Sequence, residues 1–505
     1  MHLAQDRRGD WSFRHIVILL LLTVLAFCVL GYHPGLEDDA FYLAAIKRDL
    51  NPTLFPHDAE FFRIQFQATI FDKVIALSAR LTHVPVAWTS LLWQLTAIFL
   101  VLHGCFRIAR RCFARPAAQW AAVGMIAALL SMPLPGIAIN LADQYLHPRT
   151  LATALILAAI VAVFDRRIWT ATAFLIVALA VHAIMACFGI SFCAILFWNL
   201  NESSPERRVI PVPAAALIPL GWLFEPASDA WRKAASTRSF YFVAHWEWYE
   251  WLGIFGPLAL LFAFQWFTLR RVEGEGEISE DDVLLRPLVM SLLYFGVFQT
   301  VIGLAIMLPP SLERLRPFEP MRYLHLLYLL FFLIAGGLLG DHVLKRKKYR
   351  WFLLFVPLGV GMFLAQREMF PATPHLELPN AHPSNPWLEA FAWVRQNTPS
   401  DALFALDPHY MELPGEDYHG FRALAERSAL ADYDKDAGMA ARVPGLAPRW
   451  LQEVSATTGW KDFQSQDFAR LNRDFGVTWV VLSAESTADL ACPYQNTAIK
   501  VCRLY

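Results

Sequence analysis

The segment GYHPGLEDDAFYLAAIKRDLNPTLFPHDAEFF, residues 31–62, decides how this chain is read. It begins where an apolar run of membrane length ends. Three acids, Glu37, Asp38 and Asp39, then stand in succession at the edge of that run. Phe41, Ala44 and Ala45 share one face of a helix, which Lys47, Arg48 and Asp49 close. NPTLFPHD, with His57, breaks the chain with turn residues. Beyond it Phe62, Phe66, Ile70 and Val74 recur at helical spacing, with Arg63, Gln67 and Lys73 elsewhere. The pattern predicts two helices lying in the headgroup plane, with acids at their start.

The rest of the chain says which side of a membrane that loop faces. The 505 residues are 56% hydrophobic and 17% charged, too little polar surface for a soluble protein of this size. A net charge of -1 leaves no basic field for nucleic acid. Apolar runs near bilayer length recur through the first three quarters. Hydropathy predicts a polytopic α-helical membrane protein of about 11 spans, at roughly 15–32, 83–106, 117–139, 147–164, 168–181, 183–198, 209–224, 248–269, 287–308, 322–343 and 350–365. Ile168 to Trp198 is too short for two full spans and too long for one. His182 at its middle predicts a short hairpin turning there, and a single tilted span is the alternative. With two spans, RRGDWSFR, RIARRCFAR, DRR, PERR, LRRVEGEGE and KRKKYR all fall on one side, which the positive-inside rule assigns to the cytoplasm. A single span sets PERR against KRKKYR. The N-terminus is then inside and the tail outside. The first apolar run lacks a small-residue cleavage site and reads as an anchor. The expected location is a bacterial inner membrane.

The expected division is a transmembrane domain over 1–365, its first periplasmic loop over 33–82, a linker over 366–386, and a small periplasmic α/β domain over 387–505. Trp387, Phe391 and Val394 lie on one helical face, while DALFALD and FGVTWVVLSA read as strands. Cys28, Cys105, Cys112, Cys187 and Cys193 lie in or beside spans, where packing is their ordinary role. Cys492 and Cys502 lie in the exported tail and frame PYQNTAIKV. A hairpin turning at Gln495 and Asn496 brings them to disulfide distance.

Three external loops collect the charge. Single acids at a helix start cap amides and complement the dipole. Three together suit a general base or a cation site better, because adjacent carboxylates raise one another's pKa. Asp38, with acidic neighbours on both sides, is the favoured base, with Asp39 next and Glu37 tuning them. In NLADQYLHPRT, Asp143, His147 and Arg149 lie within one short loop. In PPSLERLRPFEPMRYLHLLYLL, Arg314, Arg316 and Arg322 stand outside against the positive-inside trend, a pattern suited to phosphate. His325 lies one turn from Arg322. Headgroup snorkelling is the alternative for the arginines, and capping for the acids.

Together these loops resemble the GT-C superfamily of membrane glycosyltransferases. EDDAFY is similar to the family's acidic pair after the first span, Asp143 to its second external acid, and LERLRPFEPMRYLH to its phosphate-holding element. The stretches GYHPGLEDD, HPRT, MRYLHL and WVRQNTPSDALF resemble a group of bacterial GT-C-like proteins of unassigned function. There is no WWD-type motif of oligosaccharyltransferases. The resemblance implies inverting-type transfer of a sugar from a polyprenyl-phosphate donor to a glycan, lipid or protein acceptor on the periplasmic face. Asp38, Asp39 and Asp143 are then the catalytic candidates. Glu37, His57, His147, Arg149, Arg314, Arg316, Arg322 and His325 are the substrate-binding ones. Glu37, Asp38 and Asp39 are hard oxygen ligands, but many enzymes of this superfamily use no metal and none is expected. Two other classes stay open: a transporter or flippase of a lipid-linked or anionic solute, and a non-catalytic envelope-assembly protein. Transporters usually carry charge near the midplane of their spans, whereas here it gathers in loops.

Overall fold

A computed structural model describes residues 12–58, 60–62, 68–202, 227–275, 282–383, 385–413 and 416–504. The expected span at 209–224, the PERR stretch, and Arg63, Phe66 and Gln67 lie outside these residues.

Among the described residues, six helices are long and apolar enough to cross a membrane: Phe13–Leu30, Val86–Cys112, Ala183–Asn201, Leu284–Met307, Pro320–Leu344 and Lys348–Met369. Shorter apolar helices run over Pro116–Leu129, Pro148–Phe164 and Ile168–Val181. A further helix covers Trp248–Glu275. The segment broken at His182 is a hairpin. Arg166, just before its first helix, bonds Leu200 and Asn201 near the end of its second. The expected span 117–139 stops early, at Leu129. After it the chain forms an antiparallel ribbon, β1 (Pro133–Leu134) with β2 (Ile139–Asn140), turned at Gly136.

The bundle has two chemically different ends. At one, Arg111 pairs with Asp165 and Arg115 with Asp341. At the other, the three loops singled out in the sequence meet the C-terminal domain. That domain holds a five-stranded sheet in the order β4 (Ser428–Ala429), β3 (Leu403–Ala405), β5 (Trp479–Ser483), β7 (Ile499–Arg503), β6 (Ala491–Gln495). Side chains alternate across it with period two. Phe404, Trp479 and Val501 pack with Phe391 and Val394 on one face. Leu403, Val480 and Cys502 pack with Phe468 and Leu471 on the other. Cys492 and Cys502 are joined by a disulfide across the terminal hairpin.

The first loop departs from expectation. Asp39–Leu50 is a helix, but the face with Phe41, Ala44 and Ala45 packs against Ala423, Ala440 and Trp450 of the C-terminal domain rather than facing lipid. The next helix is Phe71–Thr82, and it buries Phe71, Ile75, Ala76 and Ala79, not Ile70 and Val74. Its phase is reset at Thr69, whose hydroxyl accepts the Phe71 N–H and donates to the Val181 carbonyl. The segment after Met369 is no free linker. The Tyr32 N–H donates to His375 O at 2.9 Å and the Glu377 N–H to Tyr32 O at 2.8 Å. His33 and His419 both meet Glu377 Oε1, at 2.7 and 3.0 Å. Gly420 is a required close approach. A Cβ there would lie 2.3 Å from the Ala40 Cβ, so only glycine lets the domain sit on the acidic loop.

Candidate functional site

The docked tail shapes the acidic triplet. Leu36 bridges to His419. Glu37 takes a left-handed φ of 51° while its N–H donates to Tyr418 O at 2.9 Å. This turn separates the acids. The Asp39 carboxylate folds back to accept the Gly35 N–H at 2.6 Å, and the residue is only 5% exposed. Asp38 and Glu37 instead line a cavity of about 490 Å³ between the bundle end and the C-terminal domain. The side chain of Asp38 is 36% exposed there. The three acids therefore do not converge on one point. Among the described residues no group of three or more His, Cys, Asp or Glu side chains is placed to hold a metal ion.

The same turn gives the two aspartates opposite electrostatics. Burial acts to raise both carboxyls. For Asp39 burial prevails and the pKa is pushed up to about 7. For Asp38 it is outweighed by the neighbouring His147 and the charges of Lys435 and Arg442, which hold the carboxyl well below the usual range. This corrects the expectation that acidic neighbours raise Asp38. The nearer groups are His147 of the second loop and Lys435 of the distant tail.

The second loop brings His147, Asp143 and Arg149 against Asp38. His147 caps the helix Pro148–Phe164, its Nδ1 accepting the Arg149 N–H at 2.9 Å. The neutral ring then carries its proton on Nε2, 3.8 Å from Asp38 Oδ2. Asp143 forms a buried ion pair with Arg149, and both line the cavity. Arg149 is 1% exposed, and its Nε and Nη1 have no hydrogen-bond partner among the described residues.

A cationic wall completes the cavity. Arg322 is paired with Glu319, and Arg442 from the tail donates to the same carboxylate at 2.8 Å. Arg238 lies against Asp434 at 2.7 Å. Lys435 pairs closely with Glu37 and lies 3.7 Å from Asp38. Sequence reasoning missed Arg238, Lys435 and Arg442. A signal existed for two of them. Lys435, Gly438, Met439 and Arg442 follow the i, i+3, i+4, i+7 rule of a single helix face, and all four line the cavity.

Other candidates lie elsewhere. Arg316 is turned by the short helix Pro310–Phe318 onto the Phe242 ring, 5.2 Å from its centroid, beside a second cavity of about 180 Å³. Arg314 does not line the main cavity, so of the three arginines only Arg322 reaches it. His325 meets Leu141 O at 2.9 Å and underpins the second loop. His57 meets Asp401 O at 3.2 Å at the seam with the tail.

Two comparisons bear on these residues. A family model described as a domain of unknown function, DUF6798, matches residues 385–443, which include Lys435 and Arg442. The crystal structure of the Archaeoglobus fulgidus oligosaccharyltransferase in the apo form is similar at 11% identity and a TM-score of 0.39, over 94% of this chain and 69% of that one. A likeness that distant carries no weight for function. No curated protein matches the chain.

Proposed function

We propose that this chain is a multi-pass membrane glycosyltransferase of inverting type. It moves a sugar from a polyprenyl-phosphate donor to an acceptor hydroxyl at the periplasmic face of a bacterial inner membrane. One observation carries the reading: a single cavity at the bundle end sets the ionised Asp38 against the cations Arg322, Arg442 and Lys435. The basic residues Arg111 and Arg115 at the opposite end support a cytoplasmic assignment for that end.

The chemistry follows from those positions. Asp38 accepts the hydrogen bond of an acceptor hydroxyl and takes its proton as the oxygen bonds to the anomeric carbon. The carbon–oxygen bond to the donor phosphate breaks on the opposite side, and its electron pair goes to the phosphate oxygen. Arg322 and Arg442 stabilise the charge that develops there. His147 Nε2–H and Lys435 keep Asp38 ionised and oriented. Asp143 holds Arg149 in the cavity wall. Asp39 is a structural acid of the turn. Transporters usually place charges near the bilayer midplane, whereas these groups stand at the bundle end.

Purified protein incubated with labelled polyprenyl-phosphate sugars and an envelope extract should transfer label and release carrier phosphate. Carrier that stays glycosylated across a panel of hexosyl and pentosyl donors would falsify the assignment.

A further inference from the structure

We infer that Glu319 is an internal counter-anion standing in the phosphate subsite, and that it determines which anions the site admits. The inference rests on the donor reading above and adds a selectivity element to it.

Glu319 is 4% exposed, yet it belongs to the wall of the main cavity. Its Oε1 is shared by two guanidiniums from distant parts of the chain. Arg322 Nη2 and Arg442 Nη2 each donate to it at 2.8 Å. A phosphate oxygen asks for the same arrangement, two charge-assisted N–H bonds converging on one acceptor. The carboxylate therefore competes with the donor for the same pair of arginines.

The backbone holds the competitor in place. In RPFEPMR, Glu319 lies between Pro317 and Pro320. It adopts φ 52°, ψ 64°, a left-handed conformation uncommon for a residue with a Cβ. A residue before proline is restricted further. Such strained positions cluster at ligand clamps. A carboxylate displaced from Arg442 thus stays tethered beside it and returns when the phosphate leaves. A donor phosphate anchored by its lipid can displace Glu319, whereas small monoanions cannot. Because Arg442 lies on the tail and Arg322 on the bundle, the exchange happens at the junction of the two.

The test measures binding of a short-chain polyprenyl phosphate to the full-length protein in detergent, without any sugar transfer. Glu319→Asp keeps the charge but withdraws the carboxylate from its shared position, and Glu319→Gln keeps the shape but drops the charge. If the subsite is occupied by Glu319 about nine-tenths of the time, both variants bind the probe about tenfold tighter. Arg442→Gln should weaken binding, and the gain from Glu319→Asp should vanish in that background. Wild-type binding with no gain in Glu319→Asp, or a gain that persists without Arg442, overturns the inference and leaves the donor reading intact. Binding to none of the variants overturns the donor reading and the inference with it.

Discussion

The two walls of the cavity have different origins. The acids around Asp38 come from short loops next to apolar spans, Glu37 and Asp38 after the first helix and Asp143 before Pro148–Phe164, while Glu412 and Asp434 of the tail and Glu319 stand elsewhere in the lining. The cationic wall is drawn partly from elsewhere: Arg238, then Lys435 and Arg442 in the tail, joined by Arg149 and Arg322 beside spans. The acids around Asp38 are set by the membrane boundary, whereas the cations Lys435 and Arg442 arrive by domain docking. A site built this way depends on the tail for its electrostatics, not only for an extra binding surface.

The contrast within the acidic wall gives the largest expected effect. Asp38→Asn should fold and bind donor but lose about 100- to 10,000-fold in turnover. Asp39→Asn should lose little. Equal losses in single-turnover assays would erase the distinction between the cavity-facing acid and the inward one. The cationic wall comes next. Arg322→Lys and Arg442→Gln should each lower turnover by about 100-fold, the scale of removing one donor from an oxyanion site. An effect confined to Arg322 would reduce the tail to a scaffold.

Lys435→Met addresses the coupling of the walls through pH. The neighbouring His147 and the charge of Lys435 hold the Asp38 carboxyl low against the pull of burial. Asp38 is then ionised at neutral pH and loses activity only as pH falls through its depressed pKa. Removing the lysine should shift that acid limb of the pH–rate profile upward. A limb that stays in place would show that Lys435 does not tune the base.

Asp39 carries the opposite sign and a smaller effect. Its folded pKa of about 7 exceeds the ordinary aspartate value of about 4. Folding therefore favours the protonated acid. That stabilisation is complete below pH 4 and is lost as pH rises toward 7. Asp39→Asn keeps an acceptor for the Gly35 N–H and should flatten the dependence of thermal stability over that interval. The smallest effect belongs to His57→Ala at the seam, within about 0.5 kcal/mol in stability and with no change in turnover.

Much of the bundle was open to reading because a bilayer imposes length and polarity on each span. The hairpin at His182 and the terminal strands followed from span length and β-branched runs. The phase of Phe71–Thr82 did not, because the side chain–backbone bonds of Thr69 override the periodicity carried by Phe62 and Phe66. The apolar face of Asp39–Leu50 was visible, but hydropathy alone does not distinguish a lipid partner from Trp450. In the site, charges near spans stood out against an apolar background. Lys435 and Arg442 looked like ordinary tail charges, since nothing local says that an amphipathic helix will be docked against acids 398 and 123 residues away.

The central claim is that one donor site is shared between the bundle and the tail. A polyprenyl phosphate carrying a photoreactive group next to its phosphate, irradiated with the full-length protein and mapped by mass spectrometry, tests it directly. Adducts on both the 319–322 loop and the 435–442 helix, suppressed by excess unmodified carrier, are the expected result. Adducts confined to the bundle, with the 435–442 helix unlabelled, would contradict it.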